Sequence, residues 1–346
     1  MKFSFKNDYS EGCHPNILRA LSEHNEDQQA GYGEDQYSLQ AKELIKVRMN
    51  SKASDIYFIS GGTQANLIVI SSVLRPYQCA VSASTGHILN NETGAIEATG
   101  HKVLSVETED GKLKPSDITP VLESHRNRPH QVMPKLVYIS NSTELGTIYD
   151  RGELEALSEF CKLHDLYLFM DGARLGHGLT AATSDLTLED VARLTDVFYL
   201  GGTKNGALIG EAVVINNPLL QQDFAFNIKQ KGALLAKGRL LGIQFLELMK
   251  GDLYFDLAKH ANRQAMKIKN FLKERGVEFL SDTYTNQIFP ILSNTLIERL
   301  SEDFEFYVWK KMDEHFSAIR LITSWNTADE AVIRFTEAIE HQMPEI

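Results

Sequence analysis

Asp171, Arg174 and Lys204 stand where two short apolar runs stop. Leu166–Met170 is followed by Asp-Gly-Ala-Arg-Leu-Gly, and Val197–Leu200 by Gly-Gly-Thr-Lys-Asn-Gly. Short apolar runs stopped by glycine read as buried strands of a parallel sheet. Functional groups in such sheets gather at the carboxyl ends of the strands. An amine at one strand end can form a Schiff base with an aldehyde. A carboxylate on a nearby strand end can keep a pyridine nitrogen protonated, so that the ring takes up electrons. The pair suits pyridoxal 5'-phosphate. Taken singly, a lysine in a glycine-rich turn is an ordinary solvated charge and Asp-Gly an ordinary turn. Gly-Gly-Thr-Lys also lacks the G-x-x-x-x-G-K-[ST] spacing of a nucleotide phosphate loop.

Two further motifs follow apolar runs. Ser60-Gly-Gly-Thr-Gln-Ala-Asn66 comes after Ile56–Ile59 and before an apolar helical stretch starting near Leu67. Gly61 and Gly62 allow a tight turn there, and Thr63 is placed to cap the helix. Free amides at a helix start, with the dipole behind them, bind phosphate. Ser84-Thr-Gly-His87 follows Ala80–Ala83, with Asn90-Asn-Glu92-Thr-Gly94 just beyond. An imidazole at a strand end can stack on a pyridine ring and exchange protons near neutral pH.

The elements that must position these groups alternate along the chain. Strand candidates are Ile56–Ile59, Ala80–Ala83, Val103–Val106, Leu136–Ile139, Leu166–Met170, Val197–Leu200 and Ala212–Ile215. Amphipathic segments such as Leu67–Leu74 and Leu154–Leu163 lie between them, and a helix is expected over Tyr37–Met49 and another opened by Pro15. Strands alternating with helices predict an α/β domain with a mostly parallel seven-stranded sheet. Helix-prone sequence runs from Phe224 to about Met249. After Gly251 the pattern becomes a helix over Ala258–Leu272, strands at Val277–Phe279 and Gln287–Leu292, and two more helical stretches. This divides the chain into residues 1–250, a large cofactor-binding domain with its N-terminal segment, and 251–346, a smaller C-terminal α+β domain.

Composition bounds the partners. The 346 residues are 43% apolar, enough for a real core, and their net charge of −11 disfavours nucleic acid or an anionic membrane surface. No apolar stretch has spanning length, and Met1-Lys-Phe-Ser-Phe-Lys does not read as a signal peptide. Cys13, Cys79 and Cys161 form neither a disulfide framework nor a metal spacing. A cytoplasmic protein without a metal is expected.

Together, His87, Glu92-x-Gly94, Asp171-Gly-Ala-Arg174, Lys204 and Arg320-Leu-Ile-Thr-Ser324 resemble the low-specificity L-threonine aldolases, which are fold-type I pyridoxal-phosphate enzymes of the aromatic amino acid β-eliminating lyase group. Gly31-Tyr-Gly-Glu-Asp, Thr143-Glu-Leu-Gly-Thr-Ile-Tyr149 and Thr203-Lys-Asn-Gly206 look closer to the phenylserine aldolase branch. The resemblance runs from about Asn7 to the C-terminus, with the motifs in the family's order. It implies that Lys204 carries the cofactor, Asp171 pairs with its ring nitrogen, and Gly62 and Thr63 hold its phosphate. It implies that His87 stacks on the ring and helps remove the β-hydroxyl proton. Arg174 would meet the phenolic oxygen or the substrate, and Arg320, with Ser10, the α-carboxylate. Lys229-Gln-Lys231 sits where the family places a basic phosphate contact across a subunit boundary, so a homodimer or homotetramer is implied.

The sequence departs from the commoner pattern around the substrate. Asn7-Asp-Tyr-Ser-Glu-Gly replaces the Ser-Asp-Thr opening, Asn141-Ser-Thr-Glu144 replaces Glu-Asn-Thr-His, and Ser324 stands for the usual histidine. The expected reaction is retro-aldol cleavage of threonine, allo-threonine or phenylserine to glycine and an aldehyde. β-Elimination or transamination on the same cofactor, and a cofactor-binding regulator or carrier without turnover, stand as alternatives.

Overall fold

All seven apolar runs become strands of one sheet. The computed structural model describes residues 2–342. In chain order β1 (Phe3–Ser4) precedes β2 (Asp55–Ile59), β3 (Gln78–Ala83), β4 (Lys102–Val106), β5 (Met133–Ser140), β6 (Tyr167–Asp171), β7 (Val197–Gly201) and β8 (Glu211–Ile215). Strands β2 to β8 form a seven-stranded sheet in the order β2-β8-β7-β6-β5-β3-β4. Within it β8 runs antiparallel to both neighbours, and the other pairings are parallel. The exception has a local cause. Only the turn that carries Lys204 joins β7 to β8, with no crossover helix to reverse the chain.

Side-chain parity sends alternate residues of each strand into two separate cores. Val137, Ile139, Leu168, Met170, Phe198 and Leu200 join one cluster with residues of the helices Gln36–Arg48, Arg151–Leu163 and Arg239–Met249. Tyr138, Phe169, Val197 and Tyr199 join the other, beneath the helix Gly62–Val73. Asp171 is two residues beyond Phe169, so the same parity turns its carboxylate towards that helix.

The chain ends of β6 and β7 are crowded. Gly201 donates its N–H to the Gly172 carbonyl at 2.9 Å. A Cβ on Gly172 would lie 1.7 Å from the Tyr199 carbonyl oxygen, and one on Gly201 would lie 2.3 Å from that of Ala173. Glycine is therefore required sterically at both strand ends.

The smaller C-terminal sheet contains β9 (Gln287–Ile288), β10 (Ile291–Ser293), β12 (Tyr307–Lys311) and β13 (Phe316–Ile322), while β11 (Phe304–Glu305) pairs in parallel with β1. A third cluster joins Phe5 to Ile268, Leu272, Leu321 and Phe335.

Several expectations change. The strand over Gln287–Leu292 is split at Phe289–Pro290, because proline has no N–H for the ladder. Val277–Phe279 is not a strand; Phe279 makes an isolated bridge to Pro290. The stretch from Phe224 to Met249 is two helices, Phe224–Gln230 and Arg239–Met249. Between them Gly238 lies against Gly33, whose nitrogen would be 2.5 Å from a Cβ at 238. Arg320 is the fifth residue of β13, which begins at Phe316. The helix after Ser60 starts at Gly62, not near Leu67. Its N-cap is Gly61, and Thr63 is an exposed residue of the first turn rather than the cap.

Gly172→Ala should force β6 and β7 apart and cost at least the roughly 1–3 kcal/mol typical of overpacking. Gly12→Ala, where a Cβ meets nothing within 4 Å, is the control. Urea unfolding midpoints compare the two, and equal midpoints would contradict the crowding.

Candidate active site

Asp171 is 4% exposed, and each of its oxygens accepts two hydrogen bonds. Oδ1 accepts from the Tyr199 hydroxyl at 2.5 Å and the Ala173 amide at 3.0 Å. Oδ2 accepts from the Tyr138 hydroxyl at 2.6 Å and Asn66 Nδ2 at 3.0 Å. Tyr138 and Tyr199 reach it because they share its face of the sheet, and Asn66 because its helix covers that face. Burial works against the charged form. The His87 charge and the hydrogen bonds from Tyr138, Tyr199 and Ala173 outweigh it, holding the carboxyl below its ordinary range.

The same network reaches His87, the first residue of the short helix His87–Asn90 after β3. Its Nδ1 lies 2.7 Å from Glu92 Oε1, which also accepts from Asn66 Nδ2 at 2.7 Å. Asn66 thus bridges the carboxylates of Glu92 and Asp171. With Glu92 accepting, the Nδ1 of His87 carries the proton and Nε2 is the free base in the neutral ring. Burial opposes the imidazolium, but the Glu92 bond and the Asp171 charge outweigh it and raise the group above its ordinary 6.5.

Lys204 projects from the β7–β8 turn. Burial, then the Arg174 charge, lowers its amine below the ordinary lysine value, against the pull of Asp8, Asp171 and Glu211. Arg174 is held by a two-pronged pair with Asp8, Nε to Oδ2 at 2.7 Å and Nη2 to Oδ1 at 3.0 Å. Two arms of its fork are therefore engaged internally, and Nη1 is the arm Asp8 does not take. Asp8 is held down to about 2: burial raises it, and the Arg174 and Lys204 charges overcome that.

Arg320 is half-buried on β13 and forms no ion pair among the described residues; its Nε is buried without a hydrogen-bond partner. Ser10 is exposed, and its hydroxyl donates to Asn7 Oδ1 at 2.9 Å. From the N-terminal segment it is Asp8 whose charge bears on Arg320. Lys229 stacks on the Tyr32 ring, 4.7 Å from its centroid. No group of three or more His, Cys, Asp or Glu among the described residues could hold a metal ion.

A model of the beta-eliminating lyase family matches residues 8–295. The chain is 31% identical over 335 residues to a low specificity L-threonine aldolase of Pseudomonas aeruginosa, covering 95% of this chain and 94% of that one. A solved threonine aldolase of Leishmania major superposes with a TM-score of 0.97 at 48% identity, covering 98% of this chain and 99% of that one. The chain belongs to the beta-eliminating lyase family. Aspartate aminotransferase of Thermus thermophilus shares the fold alone, with a TM-score of 0.72 at 14% identity over 99% of this chain and 92% of that one. The fold is thus the fold-type I arrangement expected from the motifs.

The residues fit the pyridoxal phosphate expected of such a fold. An ionised carboxylate, an amine of lowered basicity, an imidazole and the amide-rich start of the helix Gly62–Val73 are the kinds of group that its ring nitrogen, aldehyde, ring face and phosphate would require.

Sequence reasoning left several members of this cluster without a role. Asn66, a polar residue just ahead of the apolar run Leu67–Ile70, carried a readable signal. Tyr138 and Tyr199 read as core aromatics. Glu144, half-buried and with its carboxyl pushed up by loss of solvent, accepts from the His87 amide at 3.0 Å and the Ser140 hydroxyl at 2.9 Å. Glu211 faces Gly201 across the ladder and accepts the Gly202 amide at 3.0 Å, and burial pushes its carboxyl up to about 7.

Glu92→Gln should make His87 titrate at lower pH, because it removes the negative charge that favours imidazolium and leaves only a weaker, neutral acceptor. Ring-proton NMR, with the His87→Ala spectrum as assignment, checks this. An unmoved titration would dissolve the dyad.

Proposed function

We propose that the chain cleaves a β-hydroxy-α-amino acid to glycine and an aldehyde by a retro-aldol reaction with pyridoxal 5'-phosphate as cofactor. L-Threonine or L-allo-threonine is the first candidate, with phenylserine close behind. The observation that carries this reading is the Asn66 amide that ties the His87–Glu92 dyad to Asp171. It sets a base beside the carboxylate that governs the cofactor ring.

The roles follow from the side chains. Asp171 would hold the ring nitrogen, Lys204 the aldehyde carbon, and the Gly62 and Thr63 amides with the Thr63 hydroxyl the phosphate. The remaining arm of Arg174 would reach the phenolic oxygen. When bound, the cofactor supplies an electron sink for the carbon that carries the amino group. Arg320 would take the α-carboxylate and so orient the Cα–Cβ bond that is to be cleaved. His87 accepts the β-hydroxyl proton at Nε2, directly or through a water, and Glu92 stabilises the imidazolium that results. Lys204, with its lowered basicity, would be available as the neutral amine that the cofactor's aldehyde requires.

β-Elimination is the second reading, favoured by the name of the matching family. Products separate the two: pyruvate and ammonia from serine, with no aldehyde from any hydroxy amino acid, would establish elimination. We further propose a cytoplasmic homodimer or homotetramer. Leu208 and Ile209, exposed in the turn after Lys204, support a covered surface there. A division of the chain near residue 250 is supported by the third cluster, drawn mainly from Ala265 onward.

Equal amounts of glycine and aldehyde should appear from at least one of L-threonine, L-allo-threonine and L-phenylserine. His87→Phe should keep the stacking face and lower turnover by about 10²–10⁴-fold. The base must be neutral to act, and its titration is raised, so kcat/KM should fall as pH drops through a point above 6.5. An acid limb below that value would remove His87 as the base.

Arg320→Ala should lose roughly 2–5 kcal/mol of transition-state stabilisation while retaining cofactor. Arg320→Lys should recover only part, because an ammonium lacks the planar fork. Wild-type kcat/KM in the alanine variant would place the carboxylate elsewhere.

A further inference from the structure

A carboxylate receptor must keep its positive charge without surrendering it to an internal acid. Asp8 is the acid whose charge bears on Arg320, and it is already taken. Arg174 engages both of its oxygens, and Asn286 Nδ2 donates to Oδ2 at 2.9 Å. The groups that flank the Arg320 guanidinium are aromatic instead. Its central carbon lies 4.6 Å from the Trp309 ring centroid and 5.4 Å from that of Tyr307.

Both rings come from β12, the antiparallel neighbour of β13. Tyr307 stands directly opposite Arg320, and the register shifts between Val308 and Lys310, so that Trp309 is the extra residue of a bulge. Bulges re-aim side chains, and this one brings a second ring to the same guanidinium. Trp309 also packs edge-on against the fully buried Phe289, with centroids 5.5 Å apart. The core therefore fixes the orientation of the indole.

We propose that Tyr307 and Trp309 are positioning residues that fix the Arg320 fork by cation–π contact and leave its charge un-neutralised for the carboxylate of an amino acid. The inference rests on Arg320 being the carboxylate site. A π face attracts the cation without accepting its N–H groups. An aspartate or glutamate in the same place would occupy the fork and compete with the ligand. The β12 bulge is then part of the substrate-binding device, although it lies outside every motif that signals the cofactor.

Calorimetric titration of the holoenzyme with glycine tests this, using Trp309→Leu, Tyr307→Leu, Trp309→Phe and Arg320→Gln. Loss of a desolvated cation–π contact should raise the glycine Kd by about tenfold in Trp309→Leu, and less in Tyr307→Leu. Trp309→Phe should restore most of the affinity. KM for the hydroxy amino acid should rise in step, with bound cofactor unchanged. If Trp309→Leu fails to fold, Tyr307, which is 46% exposed, carries the test. Unchanged glycine binding in the leucine variants, beside weakened binding in Arg320→Gln, would overturn the clamp and spare the carboxylate site. Unchanged binding in Arg320→Gln would overturn the site itself, and the clamp with it.

Discussion

A carboxylate that is 4% exposed stays ionised only where the protein replaces the water it has lost, and Asp171 occupies such a place. Stripping solvent from an ion costs several kcal/mol unless fixed dipoles and charges make up the loss. Here the compensation comes from β5 through Tyr138, from β7 through Tyr199, from the turn at Ala173, and from the helix Gly62–Val73 through Asn66. Each donor sits on a different element, so the ionised state of one group requires the packing of the whole sheet-and-helix layer. His87 depends on the same assembly, since Asn66 also holds the carboxylate of its partner Glu92.

The charges of the site are arranged unequally. Arg174 is closed by Asp8 in a buried two-pronged pair, which fixes the N-terminal segment against the end of β6. Arg320 has no such partner among the described residues, and its neighbour Arg174 and its burial both disfavour its charge. A cation left in that condition gains most from an incoming anion, because the desolvation cost has already been met in the folded protein. Lys204 is depressed by burial and by the charge of Arg174, which favours a neutral amine. One cationic cluster therefore contains a closed pair, an open receptor and a nucleophile.

Backbone crowding lets these groups approach. Gly172 and Gly201 leave no room for a Cβ between the ends of β6 and β7. The two strand ends close to hydrogen-bond distance there, and the Lys204 turn and Asp171 are brought to one edge of the sheet. The antiparallel β8 places Glu211 under the same turn, where it accepts the Gly202 amide.

The seven strands of the large sheet, their alternation with helices, and the placement of Asp171, Lys204 and His87 at strand ends were legible in the sequence. So was the glycine turn between β2 and the helix that begins at Gly62, although not that helix's first residue or its cap. These features arise from apolar periodicity, β-branched content and glycine stops, which act over a few residues and leave a local trace. Asp8 and Arg174 lie 166 positions apart, and Asn66 and Asp171 lie 105 apart. Nothing in either neighbourhood names the other. Tyr138 and Tyr199 look like core aromatics until the register of three strands brings their hydroxyls to one carboxylate. The β12 bulge and the rings beside Arg320 depend on a pairing between edge strands with no distinctive pattern of their own. The sequence by itself determined which groups could do the chemistry and roughly where each element begins and ends. Tertiary structure decided which of those charges are neutralised and which are left open, because that depends on burial and on partners that meet only when distant segments pack.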